Sequence, residues 1–177
     1  MVHQIYGGIS QDNPCFAVEA DGETIGECWL QKMNLPQVQA MYADGTDVRR
    51  IDMSIGEKSW WGKGIGTLMI GMLADYAFDV EKADVLHCFC EDYNIRSRRV
   101  WEKNGFTLIL SEKIRQPHKG SLQYHWRLTR EEHEKRKSVS QCHPEQQADP
   151  GQAQPHPGEL QGEARLENGR PMVNSRS

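Results

Sequence analysis

The chain has 177 residues, a formal net charge of -4 and a sequence pI of about 6.0. That length fits one domain with an appendage, and a mildly acidic chain without a basic stripe is not built to bind nucleic acid. It has no apolar run of the ~18 residues a membrane-spanning helix needs. Met1 to Ser10 lacks the basic-then-apolar pattern of a secretory leader. The cysteines, Cys15, Cys28, Cys88, Cys90 and Cys142, are odd in number and scattered. They read as free thiols in a reducing cytoplasm, so a cytoplasmic protein is expected.

In chain order, Asp21-Gly22 separates the apolar runs Phe16–Ala20 and Thr24–Leu30, a hairpin signal. Ile51, Met53 and Ile55 alternate with Asp52 and Ser54, which predicts a strand with two different faces. A glycine-rich turn follows at Gly62–Gly66. Leu68, Met69, Met72, Leu73 and Tyr76 then recur at helical spacing, predicting a helix over 66–79. Val85–Cys90 is a continuous apolar run, as in a buried parallel strand. Asn94 is placed to cap a helix reaching about Asn104, and Gly105 stands where a left-handed C-terminal glycine belongs. Phe106–Leu110 and the alternation of Leu122, Tyr124, Trp126 and Leu128 predict two closing strands. From Ser138 the composition turns to Gln, Pro, Gly and Glu without aromatics, too little apolar surface to offset the entropy of ordering. The expected organisation is a mixed α/β domain over 1–137 and a disordered tail over 138–177.

The turn Trp61-Gly62-Lys63-Gly64-Ile65-Gly66-Thr67 lies between a strand and a helix. Unpaired N–H groups and the dipole of a helix N-terminus attract anions, and glycines let a phosphate come close. It is no Walker A loop, because Gly66 is followed by Thr67-Leu68. Nor is it a dinucleotide fingerprint, because Met69 stands where a third small residue belongs. Taken alone, it reads equally as a phosphate cradle or a plain strand-to-helix turn.

With its surroundings, the turn resembles the acetyl-CoA motif [QR]-x-x-G-x-[GA] of the GCN5-related N-acetyltransferase (GNAT) family. Gly64 and Gly66 take the glycine positions, and Trp61 holds the Gln/Arg position. Asp92–Phe106, "DYNIRSRRVWEKNGF", is similar to the family's second signature through Asn94, Arg96, Ser97, Glu102, Lys103, Gly105 and Phe106. Arg49–Thr67, "RRIDMSIGEKSWWGKGIGT", is similar to the corresponding stretch of aminoglycoside 6′-N-acetyltransferases through Ile51, Asp52, Ile55, Gly56, Glu57, Trp61, Lys63 and Gly64–Thr67. The resemblance spans about 14–128 and implies a mixed, mostly antiparallel sheet with flanking helices. It also implies a strand at 51–55 that splays from the strand at 85–90 to admit the pantetheine arm.

The cofactor this resemblance implies is acetyl-CoA as co-substrate, without a metal. It would be held by Met53, Ile55, Trp61, Gly62, Lys63, Gly64, Ile65, Gly66, Thr67, Asn94, Ser97 and Trp101. A backbone N–H near Met53 to Ile55 would polarise the acetyl carbonyl. Asp52 would bind the acceptor amine and take its proton, with Glu91 and Asp92 as further substrate carboxylates. Asp44 and Asp47 read better as solvated surface. Trp101 replaces the tyrosine that often protonates the departing thiolate, and an indole N–H is no general acid; Tyr93 or water would have to substitute. Phe89 replaces an aspartate of the aminoglycoside enzymes. Arg96, Arg98 and Arg99 form a basic patch suited to the CoA 3′-phosphate or to solvent.

His87-Cys88-Phe89-Cys90 invites a metal reading, but the core has no second Cys/His pair at zinc spacing, so buried thiols are expected. The family's usual opening strand and helices find little room in Met1–Pro14. The domain therefore reads as short at its N-terminus, with an open sheet edge that would invite a homodimer. The expected activity is N-acetylation of a small cationic amine, possible acceptors including aminoglycosides. The competing readings are peptide or protein N-acetylation and an acyl-CoA-binding module without turnover. No nucleic-acid or membrane partner is expected.

Overall fold

A computed structural model describes residues 13–114 and 119–142. Strands β1 (Cys15–Ala20) and β2 (Glu23–Lys32) form the first hairpin. Its turn puts Asp21 and Gly22 at φ 53° and 79°, the left-handed pair that matches the twist of a tight hairpin. A short helix α1 (Pro36–Gln39) leads to β3 (Val48–Ile55). A 3₁₀ turn at Lys58–Trp60 opens the glycine-rich segment, and helix α2 (Ile65–Asp75) follows. The expected helix over 66–79 continues as a wider π turn, Tyr76–Val80, in which Glu81 N–H reaches the Tyr76 carbonyl at 3.1 Å. Then come β4 (Val85–Glu91), α3 (Ile95–Lys103), β5 (Thr107–Lys113), β6 (Leu122–Thr129) and α4 (Arg130–Cys142).

The strands make one six-stranded sheet in the order β1-β2-β3-β4-β6-β5. Every pairing is antiparallel except β3 with β4. The parallel character expected of Val85–Cys90 is therefore confined to one edge of β4, whose other edge pairs antiparallel with β6. One face of the sheet carries Phe16, Cys28, Leu30, Ile51, Leu86, Cys88 and Leu128, all buried beneath Ile70 and Leu73 of α2 and Trp101 of α3. Burying these side chains contributes about 1.5–3 kcal/mol each before entropy is counted. The opposite face carries Arg50, Asp52, His87, Phe89 and His125, by the alternation of a pleated strand.

Helix α4 runs five residues past the position where the tail was expected to begin. Residues 138–142 belong to this helix, and 143–177 lie outside the described residues. The helix starts at a capping box: Glu132 N–H donates to Thr129 Oγ1 at 3.2 Å, and Thr129 N–H donates to Glu132 Oε2 at 2.8 Å. His133 and Lys137 both reach Asp75 of α2 at 2.8 Å, and Arg136 donates to the Lys103 carbonyl of α3. Polar contacts to the core, rather than an apolar stripe, hold the helix in place. The expectation of a shortened N-terminus concerns residues 1–12, outside the described residues; among those described, the sheet opens with the β1–β2 hairpin. No helix among the described residues is long and apolar enough to cross a membrane.

Candidate active site

Strands β3 and β4 pair only at Val48–Val85, Arg49–Leu86 and Arg50–His87. Beyond that point β3 keeps its pairing with β2 as far as Ile55, while β4 departs. The Val48 carbonyl accepts Met33 N–H, and Gly56 N–H donates to the Ile25 carbonyl, so the even-numbered backbone groups of β3 face β2. The groups of Met53 and Ile55 therefore face the opening between β3 and β4. The Ile55 carbonyl already accepts the Trp61 indole N–H at 2.9 Å.

The mouth of this opening is the glycine-rich turn. Gly62 and Gly64 have φ of 80° and 84°, and open space surrounds the position of a Cβ at either. Gly64 caps α2 without a side-chain bond. Among the described residues, the N–H groups of Gly62, Lys63, Gly64, Ile65 and Gly66 have no backbone acceptor; only at Thr67 does a bond back to Gly64 O begin, at 3.0 Å. A run of donors without backbone acceptors at a helix N-terminus is the arrangement that attracts an anion. Gly66 has another reason to be glycine: a Cβ there would meet Met53 Cε at 3.2 Å and Val100 Cγ2 at 3.5 Å, so its absence lets α2 close on β3 and α3. Lys63 Nζ lies 4.4 Å from the centre of the Trp60 ring, and the Arg96 guanidinium lies 4.7 Å from that of Trp61. Arg96 is thus drawn from α3 toward the glycine-rich turn. Thr67 gives its carbonyl to Asn104 Nδ2 at 3.1 Å, tying α2 to the end of α3.

Asn94 accepts Ser97 N–H at 3.1 Å and so acts as the cap of α3, and Gly105 ends that helix at φ 82°. Trp101, expected among the cofactor contacts, is 3% exposed and packs on Phe106 with ring centres 5.2 Å apart. A large indole on the inner face of an amphipathic helix is drawn into the core, and its buried Nε1 has no hydrogen-bond partner among the described residues. Glu91 and Asp92, expected as substrate carboxylates, both accept backbone N–H groups. The Glu91 carboxylate accepts Gly120 N–H at 2.9 Å, while Asp92 accepts Tyr93 N–H at 3.0 Å and Ser121 N–H at 3.1 Å. Both carboxylates fasten the β4–α3 turn to the segment that leads into β6. Asp47 is likewise engaged, with Arg49 at 2.7 Å.

Asp52 stands on the polar face at mid-strand, opposite Trp29 of β2. Arg50 Nε lies 2.6 Å from its Oδ2. Yet Trp29 Nε1, Arg50 Nε and Asp52 Oδ2 are all buried without a hydrogen bond of good geometry among the described residues. Burial raises the Asp52 carboxyl above the ordinary range, while Arg50, Gln31 and Trp29 pull it back. Sequence reasoning missed the three residues around Asp52, although Trp29 and Gln31 alternate on β2 in register with it.

Cys28, Cys88 and Cys90 are buried on the helix-covered face, where burial pushes the Cys28 thiol up to about 12; Cys90 Sγ lies 3.2 Å from Trp126 Nε1. No group of His, Cys, Asp and Glu among the described residues is arranged to hold a metal ion.

The profile of a family described as "Acetyltransferase (GNAT) domain" matches residues 3–107. No curated protein matches the chain in sequence. Among solved structures, aminoglycoside acetyltransferase AAC(6')-Ib in complex with coenzyme A and kanamycin superposes with a TM-score of 0.56, at 23% identity over 72% of this chain and 73% of that one. Mycobacterium smegmatis RimJ in complex with CoA-disulfide gives 0.60, at 21% identity over 74% and 62%. A variant of spermidine N-acetyltransferase SpeG from Vibrio cholerae gives 0.59, at 15% identity over 77% and 78%. At these identities the superpositions establish the fold, and the profile establishes the family. The sheet, the parted strands and the profile match agree: the chain belongs to the GNAT acetyltransferase family, whose activity depends on acetyl-CoA.

Proposed function

We propose that the protein transfers the acetyl group of acetyl-CoA to a primary amine of a small cationic acceptor, with aminoglycosides among the acceptors to be tested. The observation that carries this reading is the row of open amides from Gly62 to Gly66 at the mouth of the gap between β3 and β4. The CoA pyrophosphate would lie on these amides, with Arg96 and Lys63 adding positive charge at the rim. The nucleotide end would follow the shallow groove lined by Gly64, Thr67, Leu68, Met72 and Lys103. The pantetheine arm would enter the gap, bonding to the backbone of Met53, and its acetyl oxygen would meet a β3 N–H.

The acceptor then approaches from the polar face. Asp52 accepts a hydrogen bond from its ammonium and takes the proton, which frees the lone pair for attack on the thioester. A carboxyl raised by burial suits this role, because a base works best with a pKa nearer the operating pH. The departing thiolate is left to a water, since Trp101 is buried and Tyr93 is exposed on the helix-entry turn. Arg50 beside Asp52, and Phe89 where aminoglycoside enzymes carry an aspartate, both lower the negative charge of the acceptor face. They favour acceptors with few positive charges near the reacting amine, which keeps peptide amines in the panel. Cys15, Cys28, Cys88 and Cys90 are free thiols, in keeping with a cytoplasmic enzyme.

The test is thiol release from acetyl-CoA with kanamycin, tobramycin, spermidine and N-terminal peptides. Turnover with an aminoglycoside or spermidine supports the proposal, and turnover with peptides alone moves the acceptor to proteins. Saturable CoA binding with no turnover for any amine would reduce the protein to a binding module.

A further inference from the structure

We propose that the acceptor is an α-amino acid, held with its ammonium on Asp52 and its carboxylate on the Arg50 guanidinium and the Trp29 indole N–H. This inference names the acceptor class for the acetyl-transfer reading above and rests on that reading.

Asp52 is surrounded by donors. Arg50, two residues earlier on β3, shares its face of the sheet, and Trp29 and Gln31 of β2 stand opposite Asp52 and Arg50 in the ladder. Arg50 Nε lies 2.6 Å from Asp52 Oδ2. Burial raises the Asp52 carboxyl, and Arg50, Gln31 and Trp29 all pull against that rise, which brings the three side chains around one carboxylate. Yet Trp29 Nε1, Arg50 Nε and Asp52 Oδ2 are buried without a hydrogen bond of good geometry among the described residues. Buried polar groups are costly to leave in that state. Two donors and one acceptor gathered at one spot define the complement: a ligand that donates to Asp52 and accepts from the N–H groups beside it. An ammonium next to a carboxylate has this pattern, since the first only donates and the second only accepts.

The charges lead to the same ligand. Arg50 makes no other ion pair among the described residues. A plain amine arrives protonated, so it would set a second cation on a carboxylate that already faces a guanidinium. The carboxylate of an amino acid restores the balance, with two cations and two anions side by side. A guanidinium suits that task, because its planar fork matches the two oxygens of a carboxylate. Arg50 is braced for it: the guanidinium lies 5.5 Å from the centre of the Phe89 ring, and the side chain remains 30% exposed.

The strand sets the direction of the ligand. Arg50 and His87 form the last pair before β3 and β4 part. Asp52 lies just beyond, beside Met53, whose backbone faces the gap. An amino acid with its carboxylate at Arg50 therefore presents its nitrogen at Asp52, on the side of the thioester. Because Arg50 and Asp52 touch, the match is to a carboxylate on the carbon that bears the amine. Asp52 takes one proton from the ammonium. The freed lone pair forms the N–C bond to the acetyl carbon as the thioester C–S bond breaks, and the thiolate takes a proton from water. Asp52 then gives its proton to solvent. The products are an N-acetyl amino acid and the CoA thiol; the acetylated nitrogen is neutral and no longer held by Asp52.

The test is kcat/KM, from thiol release, for the common α-amino acids alongside kanamycin and spermidine. An amino acid is expected to be the best acceptor. It is then compared with the amine that remains when its carboxylate is removed, as arginine is with agmatine or phenylalanine with phenethylamine; each of these carries a single primary amine. Arg50→Met should lower the ratio of acid to amine at least about tenfold, the scale of a lost charge-assisted hydrogen bond, while KM for acetyl-CoA holds. The intrinsic basicity of each amine cancels when the ratio is compared between the two proteins. Arg50→Lys should keep part of the preference. Kanamycin or spermidine outpacing every amino acid, a result that needs no variant, overturns the inference while the acetyl-transfer reading stands. An unchanged ratio in Arg50→Met does the same. Turnover of no amine by protein that binds acetyl-CoA overturns that reading, and the inference with it.

Discussion

His87 makes a measurable demand on stability. Its ring is fully buried between Tyr42, Phe89 and His125, and burial followed by the His125 ring lowers its pKa from 6.5 to about 4. The unfolded chain thus binds a proton below pH 6.5 that the folded chain refuses until about pH 4. Stability from this group is complete above pH 6.5 and is lost as the pH falls through that window, by about 3 kcal/mol in total and at most about 1.4 kcal/mol per pH unit. His87→Gln keeps a polar side chain of similar size that does not titrate. Urea unfolding at pH 7, 6, 5 and 4 should show the wild type's advantage over the variant shrinking by about 3 kcal/mol toward acid. A gap that stays constant across these pH values would show that His87 is not held neutral by its burial, and the reasoning would fail.

Other substitutions probe the site and its supports. Asp52→Asn should cut turnover with the best acceptor by about 100-fold or more while acetyl-CoA affinity holds, as read by steady-state kinetics and calorimetry; full turnover would remove the base assignment. Gly64→Val places a branched side chain at φ 84°, so it should lower stability by about 1–3 kcal/mol and weaken CoA binding at the same time. Gly26→Ala drives a Cβ into the Ser54 carbonyl of β3, and thermal melts should show the loss of several degrees or more. Thr129→Ala removes one half of the α4 capping box and should cost about 1 kcal/mol in urea unfolding; an unchanged midpoint would mean the helix does not depend on its cap.

Features of the fold carried by neighbouring residues were legible in the sequence. Asp21-Gly22, the alternation about Asp52, the cap at Asn94 and the stop at Gly105 each depend on a few adjacent positions, and all stand as read. The glycine turn was legible for the same reason. Its three glycines proved to serve two purposes, backbone conformation at Gly62 and Gly64 and close packing at Gly66. Helix α4 announces itself only by Thr129-x-x-Glu132, because its polar composition carries no apolar stripe to mark its length. The surroundings of Glu91, Asp92 and Trp101 were not legible, because a motif does not say what lies across the fold. Gly120 and Ser121 are remote in sequence yet take up the two carboxylates. The hydrogen-bonded contacts of Tyr42 with His87, His87 with His125 and His125 with Glu112 were invisible for the same reason, since only the fold brings four separate segments onto one face.

The central claim is that acetyl-CoA lies on the amides of Gly62–Gly66 with its arm between β3 and β4. Amide chemical shifts recorded while acetyl-CoA is titrated into the protein test it most directly. The account predicts saturable changes that are largest at Gly62, Lys63, Gly64, Ile65 and Gly66 and extend to Met53. Absence of saturable binding, or changes centred elsewhere on the sheet, would contradict it.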